Sequence, residues 1–236
     1  MNSEKLSNRL EAVANNIPQG ARLADIGSDH AYLPCNVVKK GIVPGAIAGE
    51  VAEGPYQSAL EQVQSENLTA EISVRKGNGL DVIQPGEVDC ITIAGMGGTL
   101  ISNILDRGKT KLDGVNRLVL QPNVGSFAVR SWLIDNGWEL MREEILKEDG
   151  KIYEILVAER GEPLKPFQQR NLEAGILFGP FLMGEKSLIF IEKWNQEKKN
   201  WERILSQLND AVQNEETASK RLELERKINM AEEVLK

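Results

Sequence analysis

Of the 236 residues only two are cysteine and one is histidine, and no run of about eighteen apolar residues occurs. Each shortage excludes something. Without a long apolar run, no membrane span is expected. The opening "MNSEKLSNRLEAVANN" has no apolar core, so it does not read as a secretory signal. Cys35 and Cys90 sit among apolar neighbours and are expected as buried thiols in a reducing cytoplasm rather than as a disulfide. One histidine, His30, and two separated cysteines supply no zinc site of ordinary spacing, so no metal is expected, although carboxylate-held magnesium stays open. Neither GxxxxGK[ST] nor GxGxxG occurs. The net charge is −7, and a generic excess of positive charge for nucleic acid is therefore missing too. Residues 1–160 carry 16 basic and 22 acidic side chains, and residues 161–236 carry 12 and 13. Any RNA contact has to come from local basic patches.

What is present is an alternating order. Residues 3–15 space Leu6, Leu10 and Val13 as a helix does. "ARLADIG", "GAIAGEV", "EISVRKGNGL", "VDCITIAGMGG" and "NRLVLQPN" read as five strands. Helices are expected at "AYLPCNVVKKG", "PYQSALEQVQSENL", "TLISNILDRG" and "SFAVRSWLIDNG". "WELMREEILKEDG" and "KIYEILVAERG" then read as two strands with no helix between, turning at Asp149-Gly150. Alternation of this kind predicts an α/β fold with a parallel sheet covered by helices, and the hairpin adds an antiparallel edge. This is the layout of class I Rossmann-like methyltransferases. Residues 1–160 are expected as one domain. Residues 161–236 are expected as a linker or short helical cover followed by two helices, since glycine and proline vanish from Ser187 onward. Trp201, Leu205, Leu208 and Val212, then Leu224, Ile228, Ala231 and Leu235, predict an antiparallel coiled coil that breaks near "NEETA".

In such a sheet ligands lie beyond the carboxyl ends of the strands, where the strand order reverses. The first strand ends at Asp25-Ile26-Gly27, followed by Ser28, Asp29, His30 and Tyr32. A pyrophosphate over this turn would meet Asp29, a like-charge clash. S-adenosylmethionine suits it better, because it carries no phosphate and its methionine end bears an ammonium and a sulfonium. Asp25 and Asp29 suit the ammonium, directly or through water. Glu50, followed by Val51, is placed to accept ribose hydroxyls, and Asn78, between Gly77 and Gly79, faces the adenine edge or serves only as a turn residue. Ala94, Gly95 and Met96 offer a small floor beneath the methyl group. His30 is either a contact at the mouth or a helix-start cap.

The acceptor is read from the fourth strand. Enzymes that methylate an exocyclic amine place [DN]-PP-[YF] there, whereas this chain has "IAGMGG". A ring nitrogen with its own lone pair needs alignment and a late proton acceptor at most. "ADIGSDHAYLP", "KGNGLDVI", "TIAGMGG" and "LVLQPN", with the helical tail, resemble the bacterial tRNA (adenine-22-N1)-methyltransferase family. The resemblance implies S-adenosyl-L-methionine as donor and N1 of adenine 22 in tRNA as acceptor. It puts Asp25, Gly27, Glu50, Asn78 and Ala94 to Met96 at the cofactor, and Asp29, His30 and Tyr32 at the reaction mouth.

For tRNA, the sequence offers "RGKTK" at residues 107–111, Lys39-Lys40, Lys5 with Arg9, and Lys198, Lys199 and Arg203 on the tail. Each cluster also reads as a solvated face. A monomer is the expected state. Three other readings remain at this point: a methyltransferase for a small-molecule or protein acceptor, a nicotinamide-dependent reductase, and a non-catalytic scaffold.

Overall fold

The computed structural model describes residues 2–169, 171–209 and 214–236. Two compact units emerge, Met1–Gln169 and Arg170–Lys236. The first begins with helix α1 (Asn8–Ala14), capped by the Ser7 side chain, which accepts the Leu10 N–H. The helix starts later than the apolar spacing predicts, because the Asn2 side chain accepts the N–H groups of Glu4 and Lys5 and turns the chain there. Lys5 therefore precedes the helix instead of standing one turn from Arg9.

Strands β1 (Leu23–Ile26), β2 (Ala46–Glu50), β3 (Ile72–Lys76), β4 (Cys90–Gly97) and β5 (Arg117–Val124) are parallel. Helices α2 (Tyr32–Lys39), α3 (Glu53–Ser65), α4 (Gly98–Arg107) and α5 (Ser126–Asp135) follow four of them, and a short 3-10 turn at Gly79–Val82 follows β3. Helices cover both faces, so every residue of β1 and β2 is buried, as the near-continuous apolar runs foretell. The hairpin β6 (Trp138–Glu148) and β7 (Lys151–Arg160) turns at Asp149 and Gly150, both with positive φ. β7 pairs antiparallel with β5, and the whole order is β3-β2-β1-β4-β5-β7-β6. The order reverses between β1 and β4, which puts the ligand crevice at their carboxyl ends.

Under the hairpin lies a buried charge cluster. Arg130 of α5 donates through Nε to Glu143 of β6 at 2.6 Å and through Nη2 to Glu154 of β7 at 2.7 Å. All three side chains are inaccessible or nearly so.

The second unit holds α6 (Leu172–Phe178), α7 (Pro180–Glu185), α8 (Leu188–Asn209) and α9 (Glu215–Leu235). Trp194 packs edge-on against Phe178 and Phe190 and leans on Trp201. Asn214 and Thr217 form a capping box at the start of α9. Lys198 on α8 pairs with Glu232 on α9 at 2.9 Å, and Leu208 lies beside Glu216 to Glu223 toward the other end, so the two helices run antiparallel. Trp201, Leu224, Ala231 and Val234 are buried, while Ile228 and Leu235 are half-buried. Val212 lies outside the described residues. No helix among the described residues is long and apolar enough to cross a membrane.

Candidate active site

The turn after β1 is built around Gly27, at φ +72°. Its missing side chain matters: a Cβ there would stand 2.1 Å from the Met96 methyl, so glycine lets Met96 of β4 lie across the end of β1. The Gly27 and Ser28 N–H groups donate to the Gly49 carbonyl of β2, which ties the turn to its neighbour. Asp29 and Ala31 both take the left-handed conformation, and Ala31 precedes the first residue of α2 with no side-chain cap. The helix-start cap considered for His30 is therefore not what forms. His30 stacks on Tyr32 instead, ring centroids 5.1 Å apart, with its Nε2 3.9 Å from Asp29 Oδ1.

Around this turn lies a cleft lined by Asp25, Gly27, Ser28, Asp29 and Tyr32 on one side and by Ala94, Gly95 and Met96 on the other. Arg9, Leu10 and Leu33 complete it. Glu50 reaches the turn from β2, where its carboxylate accepts the Asp29 N–H. His30 and Glu50 are not among the residues lining the cleft, and neither are Val51, Gly77, Asn78 and Gly79. The last four stand on the next strand ends, joined to Glu50 by the Gly77 N–H donating to the Glu50 carbonyl at 2.8 Å. Asn78 is exposed and caps nothing with its side chain.

Asp25 is buried, and each of its oxygens accepts one hydroxyl: Ser28 Oγ and Thr92 Oγ1, both at 2.6 Å. Burial pushes its carboxyl up from 3.8 to about 6; the two hydroxyls pull the other way, nearby Glu50 adds repulsion, and Arg9 offsets a little. Burial also raises Glu50, against the Asp29 N–H that holds its charged form. The folded protein thus holds the Asp25 proton more tightly than the unfolded chain does. Its contribution to stability is present below about pH 4 and is lost as pH rises through about 6. A cation bound beside Asp25 favours the carboxylate and reverses that loss. Affinity for a cationic ligand should accordingly climb between about pH 5 and pH 7 and then level off. Calorimetric titration across that range checks it, and Asp25→Asn should flatten the profile.

Sequence reasoning missed five contributors. Thr92 and Gln121 are buried polar residues with apolar neighbours in their strands, a signal that was readable. Leu10 and Leu33 carried none and Arg9 read only as part of a basic cluster, because only the fold brings them to the cleft.

A family model described as tRNA (adenine(22)-N(1))-methyltransferase matches residues 23–233. A curated tRNA (adenine(22)-N(1))-methyltransferase of Bacillus subtilis is 49% identical over 235 residues, covering 100% of this chain and 99% of that protein. The crystal structure of the B. subtilis m1A22 tRNA methyltransferase superposes with a TM-score of 0.96 at 48% identity, over 99% of this chain and 100% of that one. A Streptococcus pneumoniae relative, solved in complex with S-adenosyl-L-methionine, superposes with a TM-score of 0.87 at 44% identity, over 98% and 100%.

Proposed function

The chain belongs to the tRNA (adenine(22)-N(1))-methyltransferase family, and we infer from its cleft how it serves that reaction. It is an enzyme that methylates N1 of adenine 22 in tRNA, with S-adenosyl-L-methionine as donor. The acidic turn over Gly27 is the observation that carries our reading of the site. It fits a phosphate-free cation, with Asp25 beneath it, Asp29 at its rim and Glu50 on the adjacent strand end. The donor supplies a methyl group on a positively charged sulfur, so carboxylates favour its binding.

In this reading Glu50 and the Gly77–Gly79 segment hold the nucleoside half, and Asp25 and Ser28 face the methionine half. Ala94 to Met96 form the floor where the acceptor meets the methyl group. An adenine inside a folded tRNA has to leave its stack to reach this floor. Tyr32, half-buried and backed by His30, offers it an aromatic face. N1 attacks with its own lone pair, so no proton has to leave before the bond forms. Asp29, exposed at the rim, is positioned to take a late proton. Asp29→Ala should lower turnover more than tenfold on the scale usual for an acid–base group, with cofactor affinity within a few-fold. Single-turnover kinetics beside calorimetry separate this from Asp29 as a donor contact, in which case binding is lost instead.

The tRNA-binding surface is the less constrained part. Several of the basic residues already have acidic partners: Lys39 with Glu66, Lys40 with Glu11, Lys109 with Asp106, and Lys198 with Glu202 and Glu232. We assign the tail a role in holding tRNA, through Lys198, Lys199 and Arg203, in a protein acting where tRNA is, in the cytoplasm. Reversing all three charges should weaken tRNA binding at fixed salt and reduce its salt dependence. An unchanged affinity in gel-shift titrations would remove the tail from the interface. The overall reading is tested by primer extension on tRNA incubated with enzyme and cofactor, which should stop at one adenine. Methyl transfer into small molecules or protein with none into tRNA would defeat it.

A further inference from the structure

β4 does not run straight to its end. Its pairing with β5 passes from Ala94↔Gln121 to Met96↔Pro122, so Gly95 is an extra residue with no partner across the ladder. Its φ is +80°. A bulge of this kind re-aims the side chain beside it, here Met96, and leaves its own peptide groups to be satisfied elsewhere. Two side chains of β5 do so. Gln121 Oε1 accepts the Gly95 N–H at 3.0 Å, and Asn123 Nδ2 donates to the Gly95 carbonyl at 2.8 Å. Gln121 Nε2 donates to Asn123 Oδ1 at 3.3 Å and closes the ring. Pro122, between them, has no N–H to donate to β4, and the original register returns only at Gly97↔Val124, where Asn123 is passed over on β5. Gln121 is completely buried, in a strand whose neighbours are apolar, and its Oε1 also accepts Arg9 Nη1 at 2.5 Å. A buried carboxamide in such a place costs free energy unless every bond is made.

We propose that Gln121 and Asn123 are positioning residues for methyl transfer, clamping the Gly95 peptide from both sides and so fixing the floor on which the acceptor nitrogen meets the methyl group. The proposal rests on the reading of Ala94 to Met96 as that floor. Neither side chain is asked to exchange a proton or touch the reacting atoms. Their effect is on alignment, which falls on the chemical step more than on binding.

The test compares Gln121→Leu, Asn123→Ala, the double variant and Gln121→Glu in the full chain. Each is measured for single-turnover methylation of tRNA, KM for tRNA, S-adenosylhomocysteine affinity and thermal melting. Glu at 121 keeps an acceptor for the Gly95 N–H and for Arg9. Gln121→Leu should slow the step about a hundredfold and Asn123→Ala about tenfold, the range of misplaced reacting groups, with both affinities within threefold. The double variant should be no worse than Gln121→Leu, since one clamp is lost once. Gln121→Glu should return to within about tenfold of the parent. If Gln121→Leu does not fold, Asn123→Ala, whose side chain is exposed, and Gln121→Glu decide alone. Unchanged rates in folded Gln121→Leu or Asn123→Ala, or losses that appear only as weaker cofactor binding, overturn the proposal. A parent protein that transfers nothing to tRNA overturns the functional reading beneath it, a different and recognisable result.

Discussion

Glu50→Ala is expected to raise the dissociation constant for S-adenosylmethionine by about two to three orders of magnitude. Two causes add. Glu50 is buried at the end of β2, and in the proposed site its carboxylate takes two ribose hydroxyls, each bond to a charged acceptor worth about 1.5–3 kcal/mol. Its loss also frees the Asp29 N–H, which loosens the left-handed turn that shapes the cleft. With both bonds counted near the low end of that range, about 3–4 kcal/mol in all, the loss corresponds to two to three decades in affinity. Glu50→Gln keeps an oxygen acceptor but not the charge, and should lose about one decade. Calorimetry with S-adenosylhomocysteine reads all three proteins. An alanine variant that binds like the parent would place the ribose elsewhere.

Arg130→Met is expected to cost about 3–5 kcal/mol of stability, the usual result of stripping one partner from a buried ionic cluster. The guanidinium has no exposed surface and faces Glu143 and Glu154, both of them almost fully buried. Burial alone would lower its pKa, but the two carboxylates outweigh that and hold it above its ordinary value. Methionine fills similar volume but takes the guanidinium away from both acids. At about 2–4 °C per kcal/mol for a chain of this size, the melting temperature should fall by roughly 10 °C. Replacing all three residues by apolar ones should recover most of the loss, because desolvation disappears together with attraction. The cluster lies under the hairpin rather than in the cleft. The single variant, assayed well below its melting point, should therefore turn over nearly as fast as the parent. A melting curve that does not move would show the cluster to be neutral.

Much of the fold was legible because its signals are local. Apolar runs such as "LADI" and "AIAGE" mark strands buried on both faces, and Asp149-Gly150 announces a two-residue hairpin turn. The missing phosphate-type glycine pattern pointed to a cation before any geometry was known. The start of α1 was less legible, since the side chain of Asn2 overrides the helical spacing over the first turn. The capping role weighed for His30 gave way to stacking on Tyr32, in a turn whose residues on either side of His30, Asp29 and Ala31, are both left-handed.

By itself, then, the order of residues determined the element sequence, the antiparallel edge and the acids waiting after β1 and β2, because periodicity and turn chemistry act within a few residues. Only the tertiary structure decided that Arg9 meets Gln121 across 112 positions, that Asp25 lies deep enough to keep its proton to about pH 6, and that Gly95 bulges into a carboxamide clamp. Those outcomes depend on which strands become neighbours, and long-range packing around the β1–β4 switch sets that.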